Sequence, residues 1–355
     1  MMHFCTFLGL STLLNGKEGT DLAIKLLALL ERPNSKVVDV SLSILGNLAM
    51  FPKPRDAMTS NNGVNVLVKI ISSLAEEKIL GRACRVIANL AMNDSATSGF
   101  HNKETVRLLQ KTIRDVQGSK AKGAAIRAIR ILCEKKGNNR KISAETNAIA
   151  LIMATLMETA DLELIKIIVK SIVILTDDTH RNSGACGSKD ANNTLVQQIE
   201  EGSNEFTKFI ELMSHDQINI SGTDRKISRH IWIPSMTILA NLSFHQKLRP
   251  KLGNAGIIPA FIKRLQSNDT VLSSKQFFQF VNALCLYCQE SVNRLKLREL
   301  GGLQYFVTLL SSNKPHHRAV HKKILESLVR FGYDSLSMKV RLRKRLVINF
   351  AEGKV

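Results

Sequence analysis

A short phrase recurs along this chain: Gly46-Asn47-Leu48-Ala49, Ala88-Asn89-Leu90-Ala91 and Ala240-Asn241-Leu242-Ser243. With its Leu taken as an anchor, equivalents stand at Leu132, Leu175, Leu286 and Leu328, giving the series 48, 90, 132, 175, 242, 286, 328. The spacings are 42, 42, 43, 67, 44 and 42, so five of six agree within two residues. Self-similarity at such a period marks supersecondary units that cannot bury their apolar faces alone and must stack on one another. This constrains the chain more than any local motif does.

The register extends beyond the anchor. Three residues before it stand Leu45, Ile87, Ile129, Ile172, Leu239, Ala283 and Leu325, all apolar, which keeps one helical face buried in each unit. Gly63, Gly256 and Gly301-Gly302 lie upstream of three anchors, each before an apolar run such as Val64 to Leu74, Ile257 to Leu265 or Leu303 to Leu310. A glycine suits a tight interhelical turn that needs positive φ. Pro33 and Pro315 fall just before the anchored helix, where proline is tolerated in a first turn. Each unit reads as a short helix, a glycine turn, a second helix and a longer helix ending in the Asn-Leu-Ala phrase.

This organisation resembles the armadillo repeat. The segments carrying the resemblance are Ile257 to Leu265, with its Ile-Ile-Pro-Ala-Phe-Ile-Lys-Arg-Leu sequence, and Asn293-Arg294 followed by Glu299-Leu300-Gly301-Gly302. The related HEAT repeat has a similar length, but the glycine turn and the Asn-Leu-Ala phrase favour armadillo. The expected fold is all-α, a right-handed α-solenoid of about seven repeats filling residues 1–355 as one domain. Repeats end near 50, 92, 135, 178, 244, 288 and 332, with a C-terminal cap over 333–355. The 67-residue spacing resolves into two insertions on either side of the Glu201-Gly202 turn, near His180 to Asn193 and Ser214 to Ile227. Both have loop composition, compatible equally with neutral elaboration and with a binding or regulatory loop.

Such a stack exposes its third helices as a concave groove. By the helical period, residues one and five before the anchor lie on the groove side. The first position reads Asn47, Asn89, Ile131, Ile174, Asn241, Cys285 and Ser327. In nuclear-import receptors and catenins, to which the repeats are similar, that asparagine hydrogen-bonds the backbone of an extended peptide, donating and accepting at once. An Asn that merely caps the helix end is the alternative. The second position reads Ser43, Arg85, Arg127, Lys170, Thr237, Val281 and Lys323. Import receptors carry a tryptophan array there; this chain's one tryptophan, Trp232, lies out of register. One or two turns earlier come Lys36, Lys78, Arg82, Lys120 and Lys166, against Asp39 and Glu163. The resemblance is therefore to basic, catenin-like grooves that receive acidic extended partners. The expected groove residues are Asn47, Lys78, Arg85, Asn89, Arg127, Lys166, Lys170 and Asn241.

Charge supports an acidic partner without choosing it: Lys plus Arg number 50 against 30 Asp plus Glu, a net +20. The expected function is a non-enzymatic scaffold or adaptor that binds an acidic or phosphorylated segment. Arg82 to Asp94 and Phe331-Gly332-Tyr333-Asp334 are similar to an armadillo-BTB substrate adaptor of cullin-type ubiquitin ligases, although these 355 residues contain no BTB domain. The rival reading is a nucleic-acid-binding solenoid using the same charge. Single-strand binders also need stacking aromatics, and only Phe277 and Phe278 fall near the stripe; duplex binding through phosphates remains open.

Other chemistry is not signalled. Cys285-Leu286-Tyr287-Cys288 has zinc-like spacing, but its displacement along the repeats from His317 and His321 favours buried thiols and surface histidines over a metal site. No phosphate-cradling glycine loop, nucleophile elbow or paired-carboxylate pattern occurs, so neither enzyme nor cofactor is expected. The best apolar stretch, Ile167 to Leu175, contains Lys170 and is too short to span a bilayer. Phe4 to Leu14 lacks a basic start and cleavage site and reads as part of the first helices, so the expected location is cytoplasmic, nuclear or both. The basic run Lys339 to Arg345 reads either as a solvated cap or as a nuclear-localisation element.

Overall fold

The structure, a computed structural model, describes residues 12–73, 75–92, 99–100, 103–135, 146–176, 196, 202, 204–214, 217–220, 223–267 and 271–331. The chain divides into two units, residues 1–195 and 196–355. The first insertion, the basic run and the 333–355 cap lie outside the described residues.

In the first unit the helices are α1 (Lys17–Leu29), α2 (Ser35–Leu48), α3 (Pro52–Ser60), α4 (Gly63–Ser72), α5 (Glu77–Leu90), α6 (Lys103–Asp115), α7 (Ser119–Lys135), α8 (Ala148–Glu158) and α9 (Leu162–Leu175). The helices α2, α5, α7 and α9 stack successively, as the anchored helices of a solenoid must. In α5, Ile79, Leu80, Ala83, Cys84, Val86, Ile87 and Leu90 are all buried. That is wider than one amphipathic stripe, because α2 and α7 flank the helix while α4 packs on it as well.

The helix starts differ by repeat. Asn34 Oδ1 accepts from Lys36 N at 3.0 Å and Val37 N at 3.2 Å, and Asp161 Oδ1 accepts from Glu163 N at 2.9 Å. The start of α7 borrows its acceptor from the preceding repeat: Gln117 N and Gly118 N donate to the two Glu77 carboxylate oxygens at 2.9 and 2.8 Å. This satisfies donors that the helix cannot and places negative charge at the positive end of its dipole. We expect Glu77→Ala to lower stability by about 1 kcal/mol, and Glu76→Ala, which removes no such bond, to stay within about 0.5 kcal/mol. Paired urea titrations followed by circular dichroism check this; equal effects would refute the cap.

The second unit contains α10 (Thr207–Ser214), strands β1 (Gln217–Ile220) and β2 (Thr223–Lys226), then α11 (Arg229–Leu242), α12 (Arg249–Asn254), α13 (Ile257–Ser267), α14 (Ser274–Tyr287), α15 (Ser291–Glu299), α16 (Gly302–Leu310), α17 (Pro315–Arg318) and α18 (His321–Phe331). The segment 214–227, expected to be loop, contains an antiparallel hairpin pairing Gln217 with Lys226 and Ile220 with Thr223. The β-branched residues of Gln217–Ile220, followed by Ser221-Gly222, were the overlooked signal.

The turn chemistry also differs in detail. Gly256 and Gly301 do take positive φ, at +96° and +73°, but at the first such turn Asn62 takes it, at +64°. Gly63 is needed for space instead: a Cβ there would stand 2.5 Å from the Met58 carbonyl oxygen.

Six anchors, Leu48, Leu90, Leu132, Leu175, Leu242 and Leu328, are at most 3% exposed. In the sixth repeat the register is displaced by one. Helix α14 runs for 14 residues, as do α2, α5, α9 and α11, but those four end on their anchor Leu whereas α14 ends on Tyr287. Tyr287 is fully buried, its ring edge-on to Phe261 at 6.1 Å and its hydroxyl donating to the Leu239 carbonyl at 2.6 Å. Leu286 is only half-buried. The groove positions of this repeat are therefore Leu286 and Asn282, not Cys285 and Val281, both of which are buried. In the last repeat Ile324 is buried and Leu325 half-buried, again one place from the expected core position.

Candidate functional site

In the first unit, the groove-side positions of α2, α5 and α7 form a polar ladder. Arg127 Nη2 donates to Asn89 Oδ1 at 2.9 Å, and Asn89 Nδ2 donates to the Gly46 carbonyl at 2.8 Å. One repeat back, Arg85 Nη2 donates to Asn47 Oδ1. The partners settle each amide's orientation, since a guanidinium only donates and a carbonyl only accepts. Gly46 is small for a reason: a Cβ there would lie 3.0 Å from Arg85 Nε. In the second unit Gln279 Nε2 donates to Asn241 Oδ1 at 3.1 Å, so an asparagine again links neighbouring repeats.

Asn89 is buried at 3% exposure and its amide is engaged on both sides, so it joins three successive third helices instead of facing a ligand. The sequence reading of Asn89 as a clamp for a bound backbone does not hold in this arrangement, because groove-side spacing cannot reveal that the next helix covers the amide. Asn47 is exposed and Asn241 half-buried.

The basic residues divide into two groups. Lys78 pairs with Asp39 at 2.9 Å, and Arg82 Nε approaches the other Asp39 oxygen at 3.1 Å. Lys166 pairs with Glu163 on its own helix at 3.0 Å. The two acidic exceptions of the stripe thus partly neutralise Lys78 and Lys166. Arg85 and Arg127 instead bond to amide oxygens, which orient a guanidinium without cancelling its charge. Both are half-buried, and Lys170 is exposed on α9. Burial, and then the neighbouring Arg85, hold Arg127 below the usual arginine range.

Arg130 joins this group and was not singled out from the sequence. Its Nε is buried and lacks a hydrogen-bond partner among the described residues. Burial lowers its pKa most, opposed by Glu134, with Arg127 a smaller lowering influence. Its position, two before the anchor, holds Gly46, Ala88, Val173, Ala240, Leu284 and Glu326 in the other repeats. A cation where no other repeat has one was the available clue.

The cysteine–histidine pattern separates as well. Cys285 and Cys288 are buried; burial pushes the Cys285 thiol up to about 12 and raises Cys288 too. His317, expected at the surface, is buried and stacks on Phe277 at 5.0 Å, because Phe277 is a core residue and not part of the groove stripe. Among the described residues no three His, Cys, Asp or Glu side chains come together as a metal site. Nor is any helix among them long and apolar enough to cross a membrane. Trp232, out of groove register, is buried beneath the Arg264 guanidinium at 5.0 Å.

Comparison with known proteins bears on the fold. An armadillo (ARM) family model described as ARMC5 matches residues 36–348. No curated protein sequence matches. Among solved structures, an engineered protein is 19% identical with a TM-score of 0.59, the match covering 75% of this chain and 96% of that one. A designed armadillo repeat protein is 16% identical with a TM-score of 0.59, covering 74% of this chain and 99% of its own. A second designed armadillo repeat protein, in complex with the peptide (KR)4, is 17% identical with a TM-score of 0.56, covering 74% and 98%.

Proposed function

We propose, from the premise that this chain belongs to the ARMC5 armadillo-repeat family and folds as an all-α armadillo solenoid, that it is a non-enzymatic adaptor whose basic groove binds an acidic or phosphorylated extended segment. The observation that carries this reading is the pair Arg85 and Arg127. They are half-buried guanidiniums from successive third helices, each oriented by an asparagine oxygen and neither paired with a carboxylate in these contacts. An oriented guanidinium suits a carboxylate or phosphate, which it can meet with two parallel N–H bonds. Lys170 extends the row, Arg130 adds charge behind it, and Asn47 retains a free amide donor for a ligand backbone. We place Lys78 and Lys166 at its margins, where their surface pairs, worth little each, can open to a stronger acid.

Neighbouring helices pack about 8–10 Å apart and an extended strand advances about 3.3 Å per residue, so one cation meets roughly every third ligand residue. The same fold holds the (KR)4 peptide in a designed relative; for this chain the charge signs are reversed. We take residues 1–355 as one armadillo-repeat domain, and the cellular role as capture of a substrate for a ubiquitin ligase, in the cytoplasm, the nucleus or both. The alternative is nucleic-acid binding through the net +20 charge.

The test uses a fluorescent peptide with phosphoserine or Glu at every third position and a Gln-substituted control. Arg85→Glu and Arg127→Glu should each weaken binding about tenfold without changing the circular dichroism spectrum, whereas Arg341→Glu should leave it alone. Affinity should fall steeply as NaCl rises to about 0.3 M, since the contacts are partly exposed. If duplex DNA of arbitrary sequence competes fully and Arg341→Glu is as damaging as Arg127→Glu, the nucleic-acid reading replaces this one.

A further inference from the structure

The second unit contains a cavity of about 610 Å³ between α14 and α18, within the range of ligand sites. It lies where Asn282 and Leu286 present the groove positions revealed by the displaced register, opposite Lys323, Ser327 and Arg330. Leu286 is half-buried and Val329 is 61% exposed, so both offer apolar surface that nothing in the described fold covers. Ser327 is 97% buried by its 3% exposure, and its Oγ has no nitrogen or oxygen partner; the neighbouring Cys285 thiol is a weak one. A buried hydroxyl left in this condition costs free energy unless a ligand meets it.

The charges at the rim are unequal. Glu326 is taken by Lys323 at 3.2 Å. Gln289 Oε1 is taken by Arg249 Nη1 at 2.5 Å. Arg330 is exposed at the mouth, whereas Arg249 behind it, its pKa lowered mainly by burial and only secondarily by Arg330, faces Glu290 at 3.8 Å, so Arg330 is the cation the rim presents.

We propose that this cavity is a second peptide site, which takes one large apolar side chain with an acidic residue beside it in an extended protein segment. The apolar side chain lies against Leu286 and Val329. The Ser327 hydroxyl donates to a ligand carbonyl, the Asn282 amide holds the ligand backbone, and Arg330 meets the carboxylate. The site is independent of the basic groove of the first unit: its floor is apolar, and charge enters only at one edge. A nucleobase would need an exposed ring to stack on, and no aromatic among the described residues lines this cavity: Phe277 is buried in the core, and the exposed Phe278, one turn before Asn282 on α14, lies outside the lining.

The test is selection of a random-sequence peptide display library on the immobilised full chain, then fluorescence polarisation of the enriched peptides. Enriched sequences should pair Leu, Phe or Met with an adjacent Asp or Glu. Their affinity should fall at least tenfold in Leu286→Glu and at least threefold in Arg330→Glu and Asn282→Ala, and stay unchanged in Arg127→Glu. Arg330→Glu and Asn282→Ala, at accessible positions, decide the matter if Leu286→Glu fails to fold. Absence of enrichment, enriched peptides without an apolar–acidic pair, or equal binding to Arg330→Glu and Asn282→Ala would overturn the proposal. So would displacement of the peptides by duplex DNA, or sedimentation as a dimer that Arg330→Glu abolishes; either assigns the cavity to another occupant. Loss of binding in Arg127→Glu alone would leave the groove reading standing and remove this one.

Discussion

Tyr287→Ala should destabilise the second unit by about 3–5 kcal/mol, while Leu286→Ala one residue earlier should cost about 1 kcal/mol. Tyr287 fills a fully buried place against Phe261 and bonds through its hydroxyl to the Leu239 carbonyl, thereby joining α14 to both α13 and α11. Truncation leaves a cavity the width of the ring and a buried carbonyl without its donor, and those two penalties add. Leu286 loses only partly buried surface. Tyr287→Phe separates the contributions and should cost about 1 kcal/mol through the hydrogen bond. The reporter is built in: the single tryptophan, Trp232, is buried in α11, so urea titration followed by its fluorescence reads this unit. If Leu286→Ala proved the more damaging, the Leu series would be the true register after all.

Leu90→Ala should cost about 2–5 kcal/mol in the first unit and leave the Trp232 midpoint in place. Leu90 is completely buried at the end of α5, the helix flanked by α2 and α7, so its removal loosens two repeat interfaces at once. A repeat array is held by nearest-neighbour contacts, and damage spreads only as far as those interfaces are coupled. Hydrogen exchange should therefore accelerate in α2, α5 and α7 and stay slow in α11 and α14. An equal shift of the Trp232 transition would instead make the whole array one cooperative unit.

The repeat was legible because it is a linear property: a stacked helix needs its apolar anchor at a constant place, and Leu48, Leu90, Leu132, Leu175 and Leu242 mark it. The failure in the sixth repeat has a chemical cause. There the ring and hydroxyl of Tyr287 perform the anchoring, so a period of Leu residues falls on its neighbour Leu286. At the first glycine turn, periodicity located the bend correctly but could not say that Asn62 takes the positive φ while Gly63 gives way to the Met58 carbonyl.

A stripe of charge and amide was legible in the sequence, but not which of its groups are available. Helical spacing tells which side of a helix a residue takes, and so groups Arg85, Arg127 and Lys170 as one expected row. Whether a side chain on that row is free depends on what the next helix places within about 3 Å of it. Asp39 lies in an earlier repeat than Lys78, and Asn89 is covered by Arg127, 38 positions along the chain. No periodicity records such pairings. The armadillo architecture was thus determined by the sequence itself, because burial of apolar anchors and the helical period are local and repeat with it. Only the tertiary structure decided which cations face a carboxylate from another repeat, which asparagines are spent joining repeats and where a cavity opens, because those follow from side chains meeting across helices that the chain brings together only on folding.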